Sequence, residues 1–278
     1  MLSVMREIAA PFVVARPTGA RVRTRLRVSE TDAQVLWQVG RHLATLAGED
    51  LARRCADGVG SDRTPRKRTL TGQSSSRWAG AITRMSNDQW ARARANQQDT
   101  IVGLRRTVGM IGQRAAVPVG GREGTTRGYR TVAERRAKLQ RRDVLRSRLA
   151  RLEADRAAGR VQVVRGGRRL ARLRHHLDDA GLSVGQWRDR WEAARLFLTA
   201  DGESDKRGGN ETIRWDPDSG LLEIRLPSPL AQLANRPYGR YRLSCDVAFS
   251  HRGGELAAQT AGGALRYDIT YDPDRARW

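Results

Sequence analysis

Apolar residues follow two rhythms along this chain. Between residues 29 and 200 they recur every three or four positions, the spacing of one helix face; from residue 201 onward, and again over 21–28, they alternate, the spacing of a half-buried strand. Ser29 precedes Asp32 as in an N-cap arrangement, and Ala33, Leu36, Gly40, Leu43 and Ala47 follow at helical spacing. Ser86 with Gln89 forms a second capping box and predicts a helix opening there, with Trp90, Gln97, Ile101, Leu104, Val108 and Ile111 along its stripe. Ser183 with Gln186 forms a third, leading into Trp187, Trp191, Ala194 and Leu198. Between them, Leu145, Leu149 and Leu152 mark one helix and Leu170, Leu173 and Leu177 another, with Gly181 at its expected C-cap. Residues 57–72 and 117–129 read as loops, the second carrying four glycines and a proline.

The alternating segments predict strands. "RVRTRLRV" at 21–28 sets Val22, Thr24, Leu26 and Val28 against four arginines. "TIRW" and "LLEIRLP" flank the turn-forming "DPDSG". Tyr241, Leu243, Cys245, Val247 and Phe249 alternate without a miss, as do Leu265, Tyr267, Ile269 and Tyr271. "DPDRARW" predicts one more hairpin turn, after which Trp278 either folds back as a cap or opens a strand whose partner is missing. The expectation is an α+β chain: a small antiparallel barrel or sandwich from residues 1–28 and 201–278, interrupted by a helical insertion over 29–200.

Charge sharpens that division. The 278 residues carry 52 lysines and arginines against 30 acids, a net charge of +22. Only Lys67, Lys138 and Lys206 are lysines, a bias that GC-rich codon usage can produce, but the net charge stands. Residues 201–278 hold 11 basic and 12 acidic side chains, so the excess sits in the helical insertion and at 1–28. A surplus of this size calls for a polyanion, and nucleic acid is the default partner. No stretch approaches the roughly 20 apolar residues of a membrane span. The opening "MLSVMREIAAPFVVARP" carries Arg6 and Glu7 in its apolar run and makes a poor signal peptide. Cys55 and Cys245 are too far apart in sequence for a zinc ribbon or a disulfide framework. A cytoplasmic protein is expected.

Candidate chemistry concentrates at 130–174, where 16 basic side chains face four acidic ones. Pairing along helices cannot absorb that excess. The candidate nucleic-acid contacts are Arg141, Arg142, Arg146, Arg148, Arg165, Arg168, Arg169, Arg172 and Arg174, acting mainly on phosphates. Arg165-Gly166-Gly167-Arg168 is neither a Walker loop nor a dinucleotide fingerprint. His175 and His176 are adjacent, so on a helix they point about 100° apart and suit a surface better than a metal. Trp187 and Trp191 could stack on bases, but their spacing on an apolar stripe favours core. Cys245 reads as a buried small hydrophobe, and Asp201, Glu203 and Asp205 as a solvated loop. No catalytic triad, zincin helix or carboxylate pair is present, and no cofactor motif is found in this chain.

One long stretch carries a resemblance. "YRTVAERRAKLQRRDVLRSRLARLEADRAAGRVQVVRGGRRLARLRHHLDDAGLSVGQWRDRWEAARLFLTADGESDKRGGNETIRWDPDSGLLEIRLPSPLAQLAN", with "YGRYRLSCDVAFSHRGGE" and "YDITYDPDRARW", is similar to the TnpB-like transposases of actinobacteria over about 129–278, and loosely before that. The resemblance implies an RNA-guided DNA nuclease family. Its members have a wedge β-barrel interrupted by a helical recognition lobe, then a RuvC-like domain with a four-cysteine zinc ribbon. This sequence supplies neither that domain's three carboxylates nor its four cysteines, so no catalytic residue is carried over. The expectation is a guide-RNA- and target-DNA-binding portion that is truncated or split before the nuclease domain and does not cleave DNA alone. A nuclease-less RNA-guided regulator and a plain basic DNA-binding protein are the alternatives.

Overall fold

The computed structural model describes residues 21–278; most of the predicted N-terminal barrel segment and the signal-peptide reading lie outside the described residues. Ser29 caps the first helix as its sequence requires, its Oγ accepting from the Asp32 amide at 3.1 Å, and α1 runs Glu30–Asp57. The stretch 57–72 is not a loop. Asp62 accepts from the Thr64 amide at 2.9 Å and caps α2 (Arg63–Thr71), whose Pro65 sits in the first turn, where the ring's missing N–H is no loss. The next helix begins ten residues before Ser86. Ser75 accepts from the Trp78 amide at 3.2 Å, and α3 runs Ser76–Ala116. Trp78 and Ile82 are fully buried, so the apolar stripe starts there, and Ser86 is a buried mid-helix residue and no cap.

Residues 117–129 are largely irregular but hold a two-residue hairpin, β1 (Arg122–Glu123) with β2 (Thr126–Arg127). Thr131 then caps α4 (Val132–Ala157). This helix returns antiparallel along α3: Arg135 Nε donates to the Ala115 carbonyl at 3.0 Å near one end, and Arg156 Nη1 donates to the Arg94 carbonyl at 2.9 Å near the other. The predicted helix over 168–177 is shorter, α5 (Arg168–Leu173). Gly181 does adopt positive φ, +61°, but it closes a turn from Asp178, its amide donating to the Asp178 carbonyl at 3.0 Å. Ser183 and Gln186 form the full capping box of α6 (Val184–Ala193). Leu198 lies beyond it, in extended chain.

The β-rich part is built from separate small sheets. Strands β3 (Thr199–Ala200) and β7 (Tyr267–Asp268) pair with each other, and β4 (Ile213–Trp215), β5 (Leu222–Arg225) and β6 (Arg240–Arg242) form an antiparallel meander; α7 is Gly253–Thr260. Among the described residues no barrel closes. The reason is local: ladders last two to four residues before the chain bends away, although the predicted in–out alternation of side chains persists through Leu243, Val247 and Ile269. Residues 21–29 form no strand. The Leu26 amide donates to the Trp278 carbonyl at 3.1 Å and Thr24 Oγ1 to the Ala248 carbonyl at 2.5 Å, so this extended segment lies along the far end of the chain. Trp278 does fold back: it is buried, edge-on to Trp37 and tilted against Tyr271.

One apolar cluster joins the helices to the sheets. Leu36, Leu43, Trp78 and Ile82 share it with Ile213, Ile224, Tyr241 and Leu243. Gly40 permits the close approach of the segment after α6; a Cβ there would meet Leu196 at 3.1 Å. Two polar links cross the same seam. Trp78 Nε1 donates to the Arg225 carbonyl at 2.9 Å, and the buried Asp32 carboxylate accepts from Tyr241 Oη at 2.8 Å and from the Ser244 amide at 2.9 Å. The mixed α+β class expected from the sequence is therefore the class observed, with helices predominating.

Candidate nucleic-acid interface

Helix α4 buries no residue completely, although it rests along α3 for most of its length. Its leucines are half-buried and Arg135 and Arg156 reach the α3 backbone, while Arg141, Arg146, Arg148 and Arg151 are left exposed. Below its C-terminal half the chain turns at Gly159 (φ +71°) and runs back as an extended segment, 160–164, to Gly166 and α5. The C-terminal end of α1, the middle of α3, the last turns of α4 and this extended segment enclose a groove of about 710 Å³. Arg148, Arg151, Arg160 and Arg168 line it against a single carboxylate, Asp155. Asn96, Gln97 and Thr100 form its α3 wall.

The partners of these side chains decide what the groove can hold. Arg160 reaches Asp155 Oδ1 through Nε at 3.1 Å and Nη2 at 3.0 Å, in an exposed pair, and Arg168 Nη2 donates to the Gln162 carbonyl at 2.9 Å. Arg148 and Arg151 are exposed and have no hydrogen bond or ion pair among the described residues. Gln97 Nε2 donates to the Arg160 carbonyl at 3.1 Å, while its Oε1 is buried in the groove wall with no donor among the described residues. The result is a concave wall with two free guanidinium forks, those of Arg148 and Arg151. Such forks match phosphate oxygens bidentately and remain charged at any physiological pH.

The predicted arginines divide by place. Arg148 and Arg168 meet in the groove. Arg141 lies one heptad before Arg148 and continues its face of α4, about 10 Å along the axis. Arg142 and Arg146 lie on other faces of α4, and Arg142 pairs with Asp143 at 2.9 Å. Arg169, Arg172 and Arg174 are exposed on and just after α5, their side chains without hydrogen bonds or ion pairs among the described residues. Arg165 is different. Its guanidinium donates to the carbonyls of Ala44 and Arg195, tying the extended segment to α1 and to the end of α6. Burial, and secondarily the neighbouring Arg195, push its pKa down to about 10. Arg165 is an internal strut. Sequence reading missed Arg151 and Arg160; the i, i+3 spacing of Arg148 and Arg151 on one helix face was the available signal.

Comparison with protein-family models, with curated proteins and with solved structures gives no match.

Other candidates fall outside the groove. Among the described residues no group of three or more His, Cys, Asp or Glu side chains could hold a metal ion, and no helix is long and apolar enough to cross a membrane. His175 and His176 are exposed, His176 lying 3.6 Å from Asp179. Trp187 and Trp191 are not core residues: they are half-buried and stacked on each other, 5.7 Å between centroids at 14°, with Trp187 Nε1 donating to the Leu170 carbonyl at 2.8 Å. They sit on α6, a ten-residue helix none of whose residues is buried. Asp201 and Glu203 are paired with Arg84 and Arg77, and Cys245 is only half-buried.

Proposed function

We propose that this chain binds RNA and DNA through their phosphate backbones and serves as the nucleic-acid-binding lobe of a TnpB-like, RNA-guided transposase. The observation that carries the binding reading is the groove between α3, α4 and the 160–168 segment, where four arginines face one carboxylate. Guidance comes from the sequence resemblance: base pairing reads the target, and the protein supplies charge and shape. The wedge-like barrel of that lobe would draw on residues 21–28 and the strands from β3 onward. The bonds from Leu26 to Trp278 and from Thr24 to Ala248, which bring the two ends of the described chain together, support that arrangement. Cleavage is assigned to a separate RuvC-like domain and to no residue of this chain. A guide-free basic nucleic-acid-binding protein is the second reading, favoured by the splitting of the strands into small sheets.

Nucleic acid extracted from the purified chain distinguishes these. One RNA species with a defined boundary is the expected result. Mixed RNA and DNA fragments favour the guide-free protein. A chain that carries no nucleic acid and binds neither added RNA nor added DNA at low salt contradicts both.

A further inference from the structure

Leaving the groove, the sharpest anomaly is a single tyrosine. Between β5 and β6 the chain makes a tight turn, Arg236-Pro237-Tyr238-Gly239-Arg240, closed by the Arg236 amide donating to the Arg240 carbonyl at 3.0 Å. Tyr238 stands at its tip with φ +63° and 89% of its surface exposed. The other large apolar residues exposed among those described are valines and a methionine. Positive φ suits glycine or asparagine; a bulky side chain there is strained, and the strain is normally held by packing. Among the described residues nothing packs on Tyr238. Its hydroxyl has no hydrogen bond and its ring no aromatic or cationic neighbour among the described residues.

The turn beneath it is fixed. Asn235 Nδ2 donates to the Arg242 carbonyl at 2.9 Å, the Arg242 amide donates back to Asn235 Oδ1 at 2.8 Å, and the Leu226 amide donates to the Gly239 carbonyl at 2.9 Å. The turn thus holds an aromatic ring outward on a rigid stem, with the exposed Arg236 two residues before it. At the stem's foot Arg240 Nη1 is a buried donor without a partner among the described residues.

We infer that Tyr238 is a stacking contact for an unpaired nucleobase, with Arg236 holding the adjacent phosphate. An aromatic face accepts any base, and a nearby guanidinium anchors the backbone, which together make a sequence-tolerant single-strand contact. This rests on the nucleic-acid reading above, and its test separates the two.

The probe is a labelled oligouridine, with a base-free abasic strand of equal length as control. Tyr238→Asn keeps a residue at home in the left-handed region and removes the ring. It should raise the melting temperature slightly and weaken oligouridine binding about 5- to 100-fold, leaving abasic-strand binding unchanged. Tyr238→Trp should bind as the parent does. Light-induced cross-linking of iodouridine strands should map to residue 238. If the parent chain binds no oligouridine, the nucleic-acid reading falls and this inference with it. If it binds and Tyr238→Asn binds equally, only the stacking contact falls. Equal loss on the abasic strand, or a change in self-association on substitution, assigns Tyr238 to another contact and likewise overturns it.

Discussion

Arginines near the α1–α2–α3 junction and arginines around α4 and α5 have opposite surroundings. At the junction Arg54, Arg63 and Arg66 each have an internal partner. Arg66 meets Asp50 at 3.1 Å with both side chains 2% exposed, and reaches Asn87 Oδ1 at 2.6 Å. Arg54 donates to the same Asn87 oxygen at 2.9 Å and lies 3.7 Å over the Trp90 ring, and Arg63 donates to Thr83 and to the Gly80 carbonyl. Burial, then the proximity of Arg66, holds Arg54 below its ordinary pKa. Around α4 and α5, Arg148, Arg151, Arg169, Arg172 and Arg174 have no such partners among the described residues. Both regions contribute to the net charge of +22, but Arg54, Arg63 and Arg66 are engaged internally, while these five guanidinium groups are left to offer a polyanion. Charge counted along a sequence locates a basic segment; the partners of each guanidinium locate the surface.

Breaking the junction should produce the largest effect. Arg66→Ala leaves the Asp50 carboxylate buried without its counter-charge, which costs about 3–5 kcal/mol. Chemical denaturation should show that loss, while the folded fraction binds nucleic acid as the parent does. If Arg66→Ala instead leaves stability intact and weakens binding, the two regions have been assigned the wrong way round.

The next effect lies at the seam between helices and sheet. Asp32 is 2% exposed and its carboxylate accepts from Tyr241 and Ser244. Burial alone would raise its pKa, but the bonds from Ser244, Tyr241 and Ser29 together hold it below the usual carboxylate value. The contribution is therefore complete above about pH 4, the unfolded value, and is lost as pH falls through the lower folded one. Burial and the same aspartate push the Tyr241 hydroxyl up to about 12, so stability also declines above about pH 10 as that group ionises. Asp32→Ala should cost roughly 2–3 kcal/mol and flatten the acid limb of the stability–pH curve. An unchanged acid limb would place the acid-sensitive group elsewhere.

Much of this could be read from the sequence, in a pattern that follows the physics. The caps at Ser29 and Ser183 were legible because a short polar side chain before an apolar stripe has one strong local use. The in–out alternation over 241–249 and 265–271 was legible because burial decides it residue by residue. Strand length and closure were not, since pairing depends on partners far along the chain. The helix over 63–71 was hidden by Pro65 and by charge, and it is held by Arg66 reaching Asp50, a contact that no local pattern announces. In the candidate site the basic segment was legible, but its division was not: Arg165 looks like its neighbours in sequence and is an internal strut in space.

The smallest effect on stability and the most direct test belong to the groove. Arg148, Arg151, Arg160 and Arg168 are exposed, so changing all four to glutamine should alter stability little, about 0.5 kcal/mol or less per site. The measurement is the slope of log affinity against log salt for RNA, parent against this variant. If these side chains hold phosphates, the slope should flatten by about 0.7 per lost contact on single strands, and by about 0.9 on duplex DNA. Affinity should fall at low salt with no change in sequence preference. A variant that stays folded and keeps the parent's slope would show that the groove holds no phosphate, and would contradict the account.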